Sequence, residues 1–219
     1  WINYQRFKNL TGDVKYENNV ITLTNFKNEE LYADVAFNIK TQYANLNAQI
    51  HGYMLYNVSK PELNLKLEKL SLNLAGNVNS LNGSINISPS MITIDNRYTG
   101  ELKGNINVIN SVLIFDQLAW RKNTINGTYN LNTQTADIYL HVDEQQLENL
   151  YDVGGLTVSV NSDLRLQGRL DDFSVTGDLN VPRIQYSDIV IPSIESTIAY
   201  RNGDINKILK KGSLDITKF

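Results

Sequence analysis

The chain has 219 residues, a formal charge of −3 at pH 7, 42% apolar residues and no cysteine. That length suffices for one or two self-supporting domains, and the missing cysteines exclude a disulfide framework and any thiolate metal site. The mild acidity gives no general attraction to nucleic acid, and no run of about 18 apolar residues exists to cross a membrane as a helix.

Periodicity of two dominates from the start. Gly12–Tyr16 and Val20–Thr24, with Glu17-Asn18-Asn19 between them, predict a hairpin on an Asn-centred turn. Leu31, Ala33, Val35, Phe37 and Ile39, then Ala44 to Val58 at alternate positions, predict two antiparallel strands joined near Thr41-Gln42. Pro61 is expected at a strand start or edge. Leu63, Leu65 and Leu67 are in one phase and Leu70, Leu72 and Leu74 in the other, so a turn or bulge is expected at Glu68-Lys69.

A motif of the form apolar-x-Gly-x-apolar-x-apolar then recurs: Leu81 to Ile87, Leu102 to Val108, Ile125 to Leu131 and Val175 to Val181, with a shortened copy from Leu166 to Leu170. The first three copies fall about two strands apart, which predicts a meander of similar hairpins. Each glycine lies on the apolar face. Glycine weakens a strand, so its placement there has two readings: it lets a wide sheet curl, or it leaves room for an occupant of the inner face.

From Val142 to Leu156 the period changes. Asp143 as a cap, Gln146 at the capping-box position, and Leu147, Leu150 and Tyr151 on one side predict a short helix over 143–151, ended by Gly154-Gly155. It would cover part of the sheet or act as a lid. Leu156, Val158, Val160, Leu164, Leu166 and Leu170 then alternate with polar residues, predicting one long strand with one apolar face, broken, if anywhere, by a bulge at Ser162-Asp163. Asp171-Asp172-Phe173 is expected to turn into a strand over 175–181 that Pro182 stops. Ile194 to Tyr200 alternates again before a turn at Asn202-Gly203, and Leu214 and Ile216 suggest a last edge strand.

Chemistry-bearing patterns are few. His51 and His141 fall on polar faces outside any zinc spacing, and no nucleophile elbow, phosphate loop or dinucleotide fingerprint occurs. Lys103, Arg121, Lys122, Arg165, Arg169 and Arg183 are scattered without aromatic interleaving, against a nucleic-acid surface. No catalytic residue, cofactor or metal is expected. Asparagine supplies much of the polar side, and no chemistry is assigned to it.

The hairpins with inward glycines, and above all the passage from Leu164 to Gly203 (LRLQGRLDDFSVTGDLNVPRIQYSDIVIPSIESTIAYRNG), resemble the AsmA-like superfamily, and within it the translocation and assembly module proteins. The resemblance is in cadence: a strand ending Gly-x-Leu, an acidic turn, a Val-x-Gly-x-Leu-x-Val strand, then strands closing on Asn-Gly. It implies an all-β fold in which a long antiparallel sheet curls into an open groove. It also implies a periplasmic protein anchored in the inner membrane, which conducts phospholipid acyl chains between inner and outer membranes and meets an outer-membrane β-barrel partner. On this reading residues 1–219 are a single groove segment of a longer chain, as Trp1 in place of an initiator Met also suggests. Its wall would be Ile85, Ile87, Leu102, Ile106, Val108, Ile125, Leu131, Ile138, Leu140, Val142, Val158, Val160, Leu164, Leu166, Val175, Leu179 and Val181. The rival expectations are a packed structural or adhesive β-solenoid or sandwich, a chaperone for outer-membrane protein assembly, and a membrane β-barrel. The last is disfavoured by glycines on what would be its lipid face.

Overall fold

The computed structural model describes residues 9–57, 63–94, 96–146, 155–169, 171–191 and 193–203. They form strands β1 (Thr11–Glu17), β2 (Val20–Lys27), β3 (Leu31–Asn38), β4 (Tyr43–Asn57), β5 (Leu63–Asn77), β6 (Ser80–Ile94), β7 (Arg97–Ile109), β8 (Val112–Trp120), β9 (Asn123–Asn130), β10 (Thr135–Gln146), β11 (Leu156–Arg169), β12 (Asp172–Tyr186), β13 (Ile189–Ile191) and β14 (Ile194–Gly203). All belong to one antiparallel sheet of 14 strands that is not closed into a barrel. Each strand pairs with the next in sequence as far as β13, and β14 pairs with β12, so β13 and β14 lie end to end along the same side of β12. This is the expected meander. Short connections make it so, because an antiparallel neighbour needs only a tight turn.

Asparagine builds many of those turns. Asn18 and Asn19 take positive φ in the β1–β2 turn, and Asn110 with Ser111 does the same between β7 and β8. At the ends of β3 and β9 the Asn38 and Asn130 side chains each accept two backbone N–H groups of the following turn. Asn and Asp suit both tasks, since their short polar side chains tolerate the left-handed region and imitate a backbone acceptor.

Register shifts recur from β2 to β12 and bend the sheet. In β2, β8 and β10 two residues face one on the next strand, and the second of the pair has positive φ: Asn25, Gln117 and Glu144. Each bulge frees one N–H, and each time the facing residue accepts it through a side-chain oxygen: Asp34 from Asn25 (2.8 Å), Asn126 from Gln117 (2.8 Å) and Asn161 from Glu144 (2.7 Å). The bulges of β6 and β12 contain Pro89 and Pro182. Proline fits there because no ladder N–H is missed.

Several expectations are corrected. Asp143–Gln146 is the end of β10 rather than a helical turn, and the rest of the expected helix lies outside the described residues. There β10 bulges at Asp143-Glu144, so that Val142 faces Ser162 and Gln145 faces Val160. β11 runs unbroken through Ser162-Asp163, the irregularities lying in its neighbours at 143–144 and 181–182. Pro182 does not stop β12, and Asn202-Gly203 belongs to β14. No turn occurs at Glu68-Lys69. There β5 continues in constant register with β4, and both strands change phase together, so that Leu67 (4% exposed) lies opposite Tyr53 (5% exposed), next to Gly52 at φ +61°. Pro61, Leu214 and Ile216 lie outside the described residues.

Candidate functional site

The apolar residues of successive strands fall into rows that cross the sheet. One runs Phe26, Ala33, Ala48, Leu72, Ile85, Ile106, Phe115, Gly127, Ile138, Leu166, Val175, Tyr200, each the partner of the next. It contains no charged or amide side chain. With strands about 4.8 Å apart, the row is about 50 Å long. The next row on the same face includes Ile50, Leu70, Ile87, Leu118, Ile125, Leu140, Leu164 and Ile198.

Every expected wall residue except Leu131 is on a strand and on this face; Leu131 is in the β9–β10 turn and 42% exposed, because the strand ends at Asn130. Ile106, Val108, Val158 and Val181 are buried, whereas Ile85, Ile87, Leu102, Ile125, Ile138, Leu140, Val142, Val160, Leu164, Leu166, Val175 and Leu179 are half-buried. Among the described residues there is neither a helix nor a second sheet to cover the face. Val108 at 2% and Phe173 at 3% exposure are buried on it, as fits a face that the bulges curl inward. Phe173 and Tyr200 illustrate this, their ring centroids 5.9 Å apart across β12 and β14.

At the repeated glycines the neighbouring strand comes close. A Cβ on Gly127 would lie 2.1 Å from the carbonyl oxygen of Asp137, and one on Gly177 would lie 1.9 Å from that of Asp163. The neighbouring strand occupies the space that a side chain would fill, which leaves none for a ligand at these points.

A polar seam, which periodicity did not reveal, borders the apolar rows. Ser90, Asn123, Gln145 and Ser162 are at most 7% exposed. Each satisfies a backbone or amide group near a bulge: Ser90 Oγ accepts from Glu68 N (3.3 Å), Asn123 Oδ1 accepts from Asp143 N (3.0 Å), Asn123 Nδ2 donates to Gln145 Oε1 (3.2 Å), and Ser162 Oγ donates to Asp178 O (2.6 Å). The seam removes the penalty of burying the bent backbone.

The two rims of the sheet differ. On the rim that carries the β5–β6, β7–β8 and β9–β10 turns, successive turns bond to one another: Val78 N to Gln42 O, Ser111 N to Leu81 O and Leu131 N to Ser111 O. Asn132 Nδ2 donates to Asn79 O (2.8 Å), closing two turns over the β7–β8 tip, where Ser111 is 1% exposed. The opposite rim is uneven, and its β8–β9 turn is set back.

Asp137, His141, Asp163 and Arg165 lie on the convex face. Arg165 binds Asp137 through Nε and Nη2, both at 2.8 Å, and lies over the Tyr139 ring; its guanidinium holds the Asp137 carboxyl below the usual carboxylate range. His141 Nδ1 meets Asp163 Oδ1 at 2.6 Å, and that hydrogen bond raises the histidine pKa. His51 is exposed. No three acidic or histidine side chains converge to hold a metal among the described residues. Comparison of the chain with family models, with curated proteins and with solved structures finds no match.

Proposed function

We propose that the concave apolar face is a stretch of wall along which phospholipid acyl chains travel between the inner and outer membranes of a diderm envelope. One observation carries this reading: apolar rows about 50 Å long whose side chains stay half-buried, with no layer over them among the described residues. Exposed apolar surface of that extent calls for a partner. An acyl chain of about sixteen carbons gains at most about 12 kcal/mol on such a wall, similar to its gain in a bilayer, so it slides without being trapped. On this account direction comes from elsewhere, the protein is periplasmic, and the membranes and an outer-membrane β-barrel are met by other parts of the chain.

Half-buried wall positions test the reading, because a charge there meets lipid without being sealed in the core. Leu164→Asp and Ile138→Asp in the intact protein are expected to lower transfer of a fluorescent phospholipid between donor and acceptor vesicles at least tenfold, with circular dichroism unchanged. Wild-type transfer in both variants would refute the wall. Ile106, at 7% exposure, is the wrong site for such a charge, because its desolvation would unfold the sheet.

A further inference from the structure

β8 and β9 stop at Trp120 and Asn123, while β7 continues beyond that level from Leu102 to Arg97 and β10 from Val142 to Gln146. The uneven rim therefore has a notch two strands wide, with the Arg121-Lys122 turn at its base. A hollow of about 510 Å³ opens there, lined by Arg121, Asn123, Asp143, Gln145 and Ser159 among others. The Arg121 stem lies on the apolar side of the sheet: a Cβ on Gly100 would meet Arg121 Cγ at 2.3 Å and the Trp120 indole nitrogen at 3.1 Å. That indole N–H is buried without an acceptor.

Lys122 and Glu144 neutralise each other at 2.5 Å on one side of the hollow. Arg121 and Asp143 form no ion pair among the described residues. The hollow thus sets the Arg121 cation near the Asp143 carboxylate without a direct ion pair, Asp143 also lying within the field of Lys122 and His141, and the Trp120 indole N–H lies beside the Arg121 stem at its edge. A ligand that matches all three carries a phosphate and an ammonium group a few bonds apart. A purely anionic headgroup would satisfy Arg121 but set its charge against Asp143.

We propose that the β8–β9 notch is a side entrance to the groove, at which Arg121 and Trp120 take the phosphate and Asp143 the ammonium of a zwitterionic, primary-amine phospholipid headgroup. This rests on the reading of the apolar face as a lipid wall. The headgroup stays at the rim while the chains pass over Gly100 and Leu102 onto the apolar rows.

The test measures binding of water-soluble diheptanoyl phosphatidylethanolamine, diheptanoyl phosphatidylglycerol, diheptanoylglycerol and chain-free glycerophosphoethanolamine to the whole purified protein. Native mass spectrometry and Trp120 emission, the latter in a Trp1→Phe background, report it. The ethanolamine lipid is expected to bind about tenfold more tightly than the other two lipids. Arg121→Gln and Asp143→Asn are each expected to bring that preference to within about twofold while leaving diheptanoylglycerol binding unchanged. Equal binding of all three lipids, unaltered in the variants, overturns the headgroup site and leaves the wall standing. Glycerophosphoethanolamine shifting Trp120 while no lipid chain adds affinity upholds the headgroup site and overturns the wall. No binding of any probe overturns both.

Discussion

Replacing Gly127 by alanine tests whether the glycines exist for the backbone or for an occupant. Gly127 has φ +125°, and the new Cβ would sit 2.1 Å from Asp137 O and 2.8 Å from Ile138 Cα. Both contacts are to backbone of β10, so relief requires moving that strand away from β9. Holding an L-residue at such a φ costs about 1–3 kcal/mol, and overpacking of this kind costs about as much again. The expected loss is about 2–6 kcal/mol, a large fraction of the roughly 5–15 kcal/mol that holds a domain together. Gly52→Ala is the comparison, because Gly52 has φ +61° with nothing within 4 Å of a new Cβ. Only the left-handed penalty of about 1–2 kcal/mol applies there. Urea unfolding followed by Trp120 fluorescence in a Trp1→Phe background should place Gly127→Ala well below Gly52→Ala with similar m-values. If Gly127→Ala stays within about 0.5 kcal/mol of wild type, the close strand approach is not what the glycine serves, and the case for curvature fails.

The polar seam and the convex face give further expectations. Asn123→Ala strips an acceptor from Asp143 N and a donor from Gln145 at a site 1% exposed, and should cost about 2–4 kcal/mol in the same unfolding assay. Asn126→Ala uncaps only the Gln117 N–H, which water can reach, and should cost about 1 kcal/mol. The His141 pKa is raised by its hydrogen bond to Asp163, so the stability this pair contributes is complete below the ordinary histidine value near 6.5 and is lost as pH rises through the raised one. With the imidazole 55% exposed the effect is a few tenths of a kcal/mol, about the usual yield of a surface pair. An NMR titration should show His141 returning toward the ordinary value in Asp163→Asn, and an unchanged titration would contradict the pairing.

The sequence announced the strands and their faces because a two-residue period survives any curvature of the sheet. Leu156 to Arg169 shows this best, its even-numbered residues falling on the concave side along the whole strand. What periodicity could not show was the bend. The residues Asp143 and Gln146, which have the spacing of a capping box, instead lie in the bulged end of β10. The capping residues Asp34, Asn126 and Asn161 were equally hidden, since each answers a bulge on a neighbouring strand 9 or 17 residues away. Part of the asparagine content thereby acquires a physical reason, turn formation and bulge capping. The notch at Arg121 was illegible for the same cause: it exists only because two adjacent strands end earlier than those beside them.

The central claim is that the concave face meets lipid, and the most direct measurement is native mass spectrometry of the gently purified protein followed by lipid extraction. The account predicts bound phospholipid that is lost in a folded Leu164→Asp variant. A bare protein mass that takes up no lipid from added micelles or vesicles would contradict it and favour a packed structural sheet.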